Sequence, residues 1–101
     1  MKIINLTPHP VNVGAKSFPP SGNIARCEET WEAETENDEV NFLVGFKYGK
    51  TNLPAADDKT LYIVSLPVVL AEPERTDLLI SVGQIRDGEG KIIGAKGLAR
   101  L

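Results

Sequence analysis

The stretch TWEAETENDEVNFLVGFKY, Thr30 to Tyr48, decides how the chain reads. From Val40 onward apolar side chains fall at every second position: Val40, Phe42, Val44, Phe46 and Tyr48. That is the period of a strand with one face covered and one face wet. Ahead of it, Trp31 and Ala33 alternate with Thr30, Glu32 and Glu34. Asn37-Asp38 sits between the two runs, and both residue types tolerate the positive φ of a tight hairpin turn. A two-residue turn there pairs Thr35 with Val40, Ala33 with Phe42 and Trp31 with Val44. All of these apolar partners then share one face, whereas a slip of one residue would split them. If the first strand runs back to Ile24, Cys27 faces Tyr48.

Shorter strand signals surround this hairpin. Lys2–Leu6 and Val11–Val13 flank Thr7-Pro8-His9-Pro10, where two prolines oppose regular pairing. Pro19-Pro20-Ser21-Gly22 reads as a turn. Leu61–Val64 is a β-rich run. Ser65 is placed to cap a short helix through Glu72, with Pro67 in its first turn and Pro73 stopping it. Ile80–Arg86 and Lys91–Ile93 form a second hairpin around Asp87-Gly88-Glu89-Gly90, and a last strand covers Lys96–Leu101. The expectation is one domain, residues 1–101, of the α+β class. It is a small, mostly antiparallel β domain with a central long hairpin and one short helix.

Composition narrows the chemistry. The chain has 101 residues, 42% of them apolar and 25% charged, with a net charge of −3. Its isoelectric point is near 5.1. That balance argues against electrostatic binding to duplex nucleic acid. No run approaches the roughly 18 apolar residues of a membrane span. Met1–Leu6 lacks the apolar core of a secretion signal, so a reducing cytoplasm is expected. The single cysteine precludes an internal disulfide, and one histidine with one cysteine argues against a zinc site. Seven of the fourteen carboxylates lie between Glu28 and Glu39, as charges guarding an exposed strand often do. The tail from Gln84 carries Arg86, Lys91, Lys96 and Arg100 against Asp87 and Glu89.

Few side chains could carry chemistry. His9 lies between prolines, where turn residues are common, and Cys27 lies in a strand, where a small core residue is common. Nothing in their spacing makes them a nucleophile and base. The four arginines are Arg26, Arg75, Arg86 and Arg100. A guanidinium fork matches phosphate oxygens in shape and charge. Arg26 follows one glycine turn, and Arg86 precedes Asp87-Gly88-Glu89-Gly90, whose backbone N–H groups could form an anion-binding concavity. The plain alternative for each arginine is a surface ion pair. Gly83 to Gly90 lacks the Gly-Lys-Ser/Thr ending of a phosphate-binding P-loop. Phe46 and Tyr48, at the far end of their strand, are candidates to stack a purine, although core packing is the commoner use.

Four segments carry a resemblance: Ile4-Asn5-Leu6-Thr7-Pro8-His9-Pro10-Val11, Pro20-Ser21-Gly22-Asn23-Ile24-Ala25-Arg26, Leu61-Tyr62-Ile63-Val64-Ser65, and Arg75-Thr76-Asp77 leading to Arg86-Asp87 and Gly94. Together they resemble the small phage and prophage proteins that include the anti-Thoeris signal sponges. The resemblance implies a β-rich homodimer that builds a hexamer. It implies binding of cyclic ADP-ribose isomers, and in some members cyclic trinucleotides, without cleavage, in the cytoplasm of an infected bacterium. Arg26 and Arg86 would contact ligand phosphates, with Phe46, Tyr48 or Asp87 as further contacts. No metal, cofactor, duplex nucleic acid or membrane enters that picture. The alternatives are an enzyme that degrades the same signals and a small oligomeric phage structural or interaction protein with no nucleotide ligand.

Overall fold

A computed structural model describes residues 1–35 and 42–101, and for 31–35 and 42–46 the backbone alone. The strands are β1 (Lys2–Asn5), β2 (Val11–Val13), β3 (Lys16–Phe18), β4 (Cys27–Thr35), β5 (Phe42–Thr51), β6 (Thr60–Ile63), β7 (Leu78–Arg86) and β8 (Ile92–Ala99). One helix, α1 (Leu66–Ala71), lies between β6 and β7. The molecule is thus small and mostly β with one short helix.

Pairing in the main sheet is mixed rather than mostly antiparallel. Its order is β1-β6-β7-β8-β2-β3. β1 runs parallel to β6, β6 parallel to β7, and β2 parallel to β8 at Val13↔Ala95. Only β2·β3 and β7·β8 are antiparallel within it. For β6 and β7 the cause is the connection between them. A parallel return needs a crossover, and α1 supplies it. Lys91–Ile93 and Lys96–Leu101, expected as separate strands, form the single β8, and β3 was not foreseen.

The β4–β5 hairpin is not the centre of this sheet but a two-stranded sheet of its own. Its register also differs from the expected one. Ala33 pairs with Leu43, Glu32 with Val44, and Thr35 with Phe42, with irregularities at three points along the ladder. The offset is already two residues at Thr35↔Phe42, the described pair nearest the turn, and the bulges then shift it by one residue at a time. Cys27 pairs with Thr51, and Tyr48 with Glu29. β4 begins at Cys27, not Ile24. The expected Asn37-Asp38 turn lies outside the described residues. The hydroxyl of Thr51 donates to the Glu72 carboxylate at 2.8 Å, tying β5 to the end of α1.

Helix α1 forms where it was expected. Pro67 stands in the first turn, where its missing N–H costs nothing. Ser65 occupies the N-cap position without a side-chain capping bond. Its carbonyl accepts from Val68 and Val69 instead, at 3.2 and 3.4 Å. Burial of Val68 and Val69 therefore holds this helix rather than its cap. They join Leu6, Ala25, Tyr62, Val64 and Leu78 in one apolar cluster, which Ile4, Leu53 and Ile80 flank.

The two outer strands of the six, β1 and β3, are brought together by Asn5, which is only 2% exposed. Its Nδ2 donates to the carbonyls of His9 and Phe18, each at 2.8 Å. Its Oδ1 accepts from the Thr7 N–H at 2.9 Å and the Thr7 hydroxyl at 2.6 Å. Its carbonyl accepts the Ser21 N–H at 3.0 Å. The two edges of the sheet thereby meet at Asn5, which also bridges to Pro20, and the sheet is nearly closed.

On β7, Gly83 has φ +67°, and an added Cβ would come within 2.9 Å of the Lys96 Cβ. Both the backbone and the space require glycine. Gly83→Ala is expected to lower stability by about 1–2 kcal/mol, read as a shift in urea midpoint with an unchanged slope.

Candidate functional site

β7 leaves the body of the protein as it goes. Leu78 and Leu79 are buried, while Val82 to Arg86 are exposed. The strand ends in the turn that the sequence marked by Asp87-Gly88-Glu89-Gly90. Here the expected anion-binding nest does not form. Asp87 Oδ1 accepts the N–H groups of Glu89 and Lys91, at 2.9 and 3.0 Å. The Gly90 N–H donates to the Asp87 carbonyl at 3.0 Å, and the Asp87 N–H to the Lys91 carbonyl at 2.9 Å. The turn consumes these donors itself, and Asp87 is its internal brace.

Arg86 folds over this turn, with Nη1 donating to the Gly90 carbonyl at 2.7 Å. A guanidinium carries five N–H donors, so this bond aims the fork and uses one of them. Beside it lies an open groove of about 760 Å³ between the β7–β8 hairpin and the segment from His9 to Asn12. Arg86, Lys91 and His9 are its basic lining groups, and no carboxylate is among the lining residues. Ser81, Asn12 and Gln84 add polar groups, and Pro10, Val11, Ile92 and Ile93 add apolar surface. In a chain of net charge −3, this is a locally cationic hollow. Asn12 is held in place, accepting from the Ser17 hydroxyl at 2.7 Å.

The other candidates lie elsewhere. Arg26 lines a separate hollow of about 270 Å³, together with Cys27, Glu29, Thr7 and Ser65. Its backbone is pinned by Asn52, whose Oδ1 accepts the Arg26 N–H at 2.7 Å. Within one chain, Arg26 and Arg86 therefore do not share a cavity. His9 and Cys27 are likewise divided between the two hollows. Burial pushes the Cys27 thiol up, and the nearby Glu29 carboxylate adds to this, which favours the unreactive protonated form. Tyr48 is half-buried beside Glu29 on the β4–β5 ribbon and lines neither hollow. The side chain of Phe46 lies outside the described residues.

Arg75 is committed to structure. Its Nε and Nη2 donate to the two carboxylate oxygens of Asp77, at 2.8 and 2.7 Å. Among the described residues, no three His, Cys, Asp or Glu side chains gather as a metal site. No helix among them is long and apolar enough to cross a membrane. The sequence singled out Arg86 but not Lys91, His9 and Gln84 as its neighbours around the groove. The signal available was the excess of cations after Gln84. Compared with protein-family models, curated proteins and solved structures, the chain matches none of them.

Proposed function

We propose that this protein binds and sequesters an anionic cyclic nucleotide signal, a cyclic ADP-ribose isomer or a cyclic oligonucleotide, without cleaving it. On this reading it acts as a phage anti-defence protein in the cytoplasm of the infected bacterium, as a homodimer that assembles further to a hexamer. The observation that carries the proposal is the groove beside Arg86, with Lys91 and His9 in its wall and no carboxylate. Its volume of about 760 Å³ falls in the range of small-molecule sites. The aimed guanidinium suits a phosphate. Ile92, Ile93, Val11 and Pro10 offer apolar surface to a base or ribose. The resemblance of the four sequence segments supplies the ligand class. Sequestration needs affinity and not transition-state stabilisation, so the role asks nothing of His9 or Cys27 as catalysts. If Arg26 also contacts the ligand, it comes from a second copy, because Arg26 lines a different hollow.

The test is a binding panel of cyclic ADP-ribose isomers and cyclic di- and trinucleotides, followed by heat release. Binding with recovery of the intact ligand is expected. Arg86→Ala should weaken it at least tenfold, about 1.4 kcal/mol. A converted ligand would establish an enzyme instead. No binding across the panel would leave the second reading, an oligomeric interaction module, which the exposed aliphatic side chains of β7 and β8 favour.

A further inference from the structure

The groove beside Arg86 has two walls of different character. On the β7–β8 side stand Arg86 and Lys91, residue types that keep their charge through neutral pH. On the other side runs the segment from His9 to Asn12, whose one ionisable side chain is His9. The backbone fixes this residue in place. Its carbonyl accepts from Asn5 Nδ2 at 2.8 Å and from the Thr7 hydroxyl at 3.0 Å. Pro8 and Pro10 on either side restrict φ. His9 is exposed, and its ring makes no hydrogen bond or ion pair with the described residues.

The charges that face His9 across the groove are Arg86 and Lys91, and no carboxylate lines it. β1 and β3, which meet beside it, bring Asn5 and Phe18, both uncharged. Arg26 and Glu29 line the other hollow, on the Thr7-Pro8 side of the same turn. The counter-charge for an imidazolium in this groove therefore has to come with a ligand. A histidine changes charge between about pH 5 and 8. A phosphate seated between the two walls puts negative charge beside the ring and favours its protonated form. The imidazolium N–H then donates to a phosphate oxygen from the side opposite Arg86.

We propose that His9 is the third phosphate contact of the groove, and that the ligand is bound together with a proton. This rests on the anionic ligand class proposed above and adds to it a residue and a pH dependence. The proton comes from solvent and stays on the imidazole, and no bond of the ligand is made or broken. His9 is then a stronger base in the complex than in the free protein. The added affinity is fully present below the free protein's histidine titration and is lost as pH rises through that of the complex. The phosphodiester and diphosphate groups of a cyclic nucleotide keep their own charge throughout that range.

The test titrates inorganic sulfate and the cyclic ADP-ribose isomers into the protein at about pH 5.5 and about pH 8. Sulfate also holds one charge across the range. His9 is the only histidine in the chain, so its ring Cε1–H is a single, unambiguous proton NMR signal. Ligand is expected to move the midpoint of that signal's titration up by at least about 0.5 pH unit. The same coupling makes the Kd at the lower pH about threefold smaller. His9→Gln should bind with one Kd at both pH values. His9→Lys, with a permanent charge, should bind at the higher pH as the wild type does at the lower. A bound ligand that leaves the His9 titration unmoved overturns the proposal, as does a pH dependence that survives in His9→Gln. Nucleotide binding without a His9 shift would sink this inference alone. A His9 shift with sulfate but no binding across the nucleotides would sink the nucleotide reading alone, and no binding of either probe would sink both.

Discussion

Asn5→Ala is expected to lower stability by about 3–4 kcal/mol, a large part of the roughly 5–15 kcal/mol available to a domain of this size. The wild-type side chain makes four hydrogen bonds from a position 2% exposed. Truncation strands the carbonyl of Phe18 and the N–H of Thr7, both half-buried, while the His9 carbonyl keeps only the Thr7 hydroxyl at 3.0 Å. Each stranded group costs about 1–3 kcal/mol less whatever relaxation recovers. Thermal unfolding should show a fall in Tm of roughly 15 °C or more. Asn5→Asp gives a sharper test. It keeps the shape and the acceptor toward Thr7 but turns the donor into an oxygen facing two carbonyls. It should be at least as harmful as alanine near neutral pH. A variant within about 1 kcal/mol of wild type would show that the seam between β1 and β3 is held by something else.

Arg75→Ala is the second large loss, expected at about 2–3 kcal/mol. It leaves the Asp77 carboxylate, whose side chain is only 9% exposed, without its two-bond partner. The Asp77 carbonyl meanwhile accepts the Tyr62 N–H at 2.8 Å, so disturbance at this residue reaches the β6–β7 pairing. The pair also predicts a pH dependence. Hydrogen bonds from Arg75 hold the Asp77 carboxyl below its ordinary range, against the opposing effect of burial. A carboxyl that is more acidic folded than unfolded contributes stability above its unfolded value, about 3.9. That contribution is lost as pH falls from there through the lowered folded value. The Arg75 guanidinium, pushed up by the same bonds, does not titrate in this window. Urea titrations of wild type and Asp77→Asn should therefore show a stability gap that is constant above about pH 5 and narrows below about pH 4. A gap that stays constant down to about pH 2 would assign the loss to packing and not to the ionised pair.

What the sequence made legible was local. The helix between Ser65 and Pro73, the strand Val11–Val13 and the turn after Arg86 all follow from residues within a few positions of one another. Parallel pairing was not legible, because the partner of Lys2 is Thr60 and the partner of Val13 is Ala95. Alternation tells which face a residue takes but not which distant strand lies beside it. The β4–β5 register was not legible because it is already two residues off that of a two-residue turn at Thr35↔Phe42, and bulges shift it again along the ladder. At the site, Arg86 stood out because arginine is rare in this chain. The turn's use of its own N–H groups follows from Asp87, because a short acidic side chain at the head of a turn binds the backbone that follows it. Asn5 went unweighed for a similar reason. Asn next to Thr-Pro reads as ordinary turn chemistry, and its links to Phe18 and Ser21 depend on the closed sheet.

The same parallel ladders set the order in which the molecule can come into being. β1 hydrogen-bonds along its length to β6 and not to any strand near it in sequence. In the ladders, β2 and β3 join the sheet through β8, where Val13 pairs with Ala95. Neither β1 nor the β2–β3 pair can therefore join the sheet until β6 and β8, far along the chain, have been synthesised. Closing such long loops costs entropy before any contact repays it, so folding from the denatured state should be slow for a chain this short. During that interval Val11 and Val13 lack the partner strand β8. Misassembly between incomplete chains, rather than collapse of the finished one, is the hazard this topology creates.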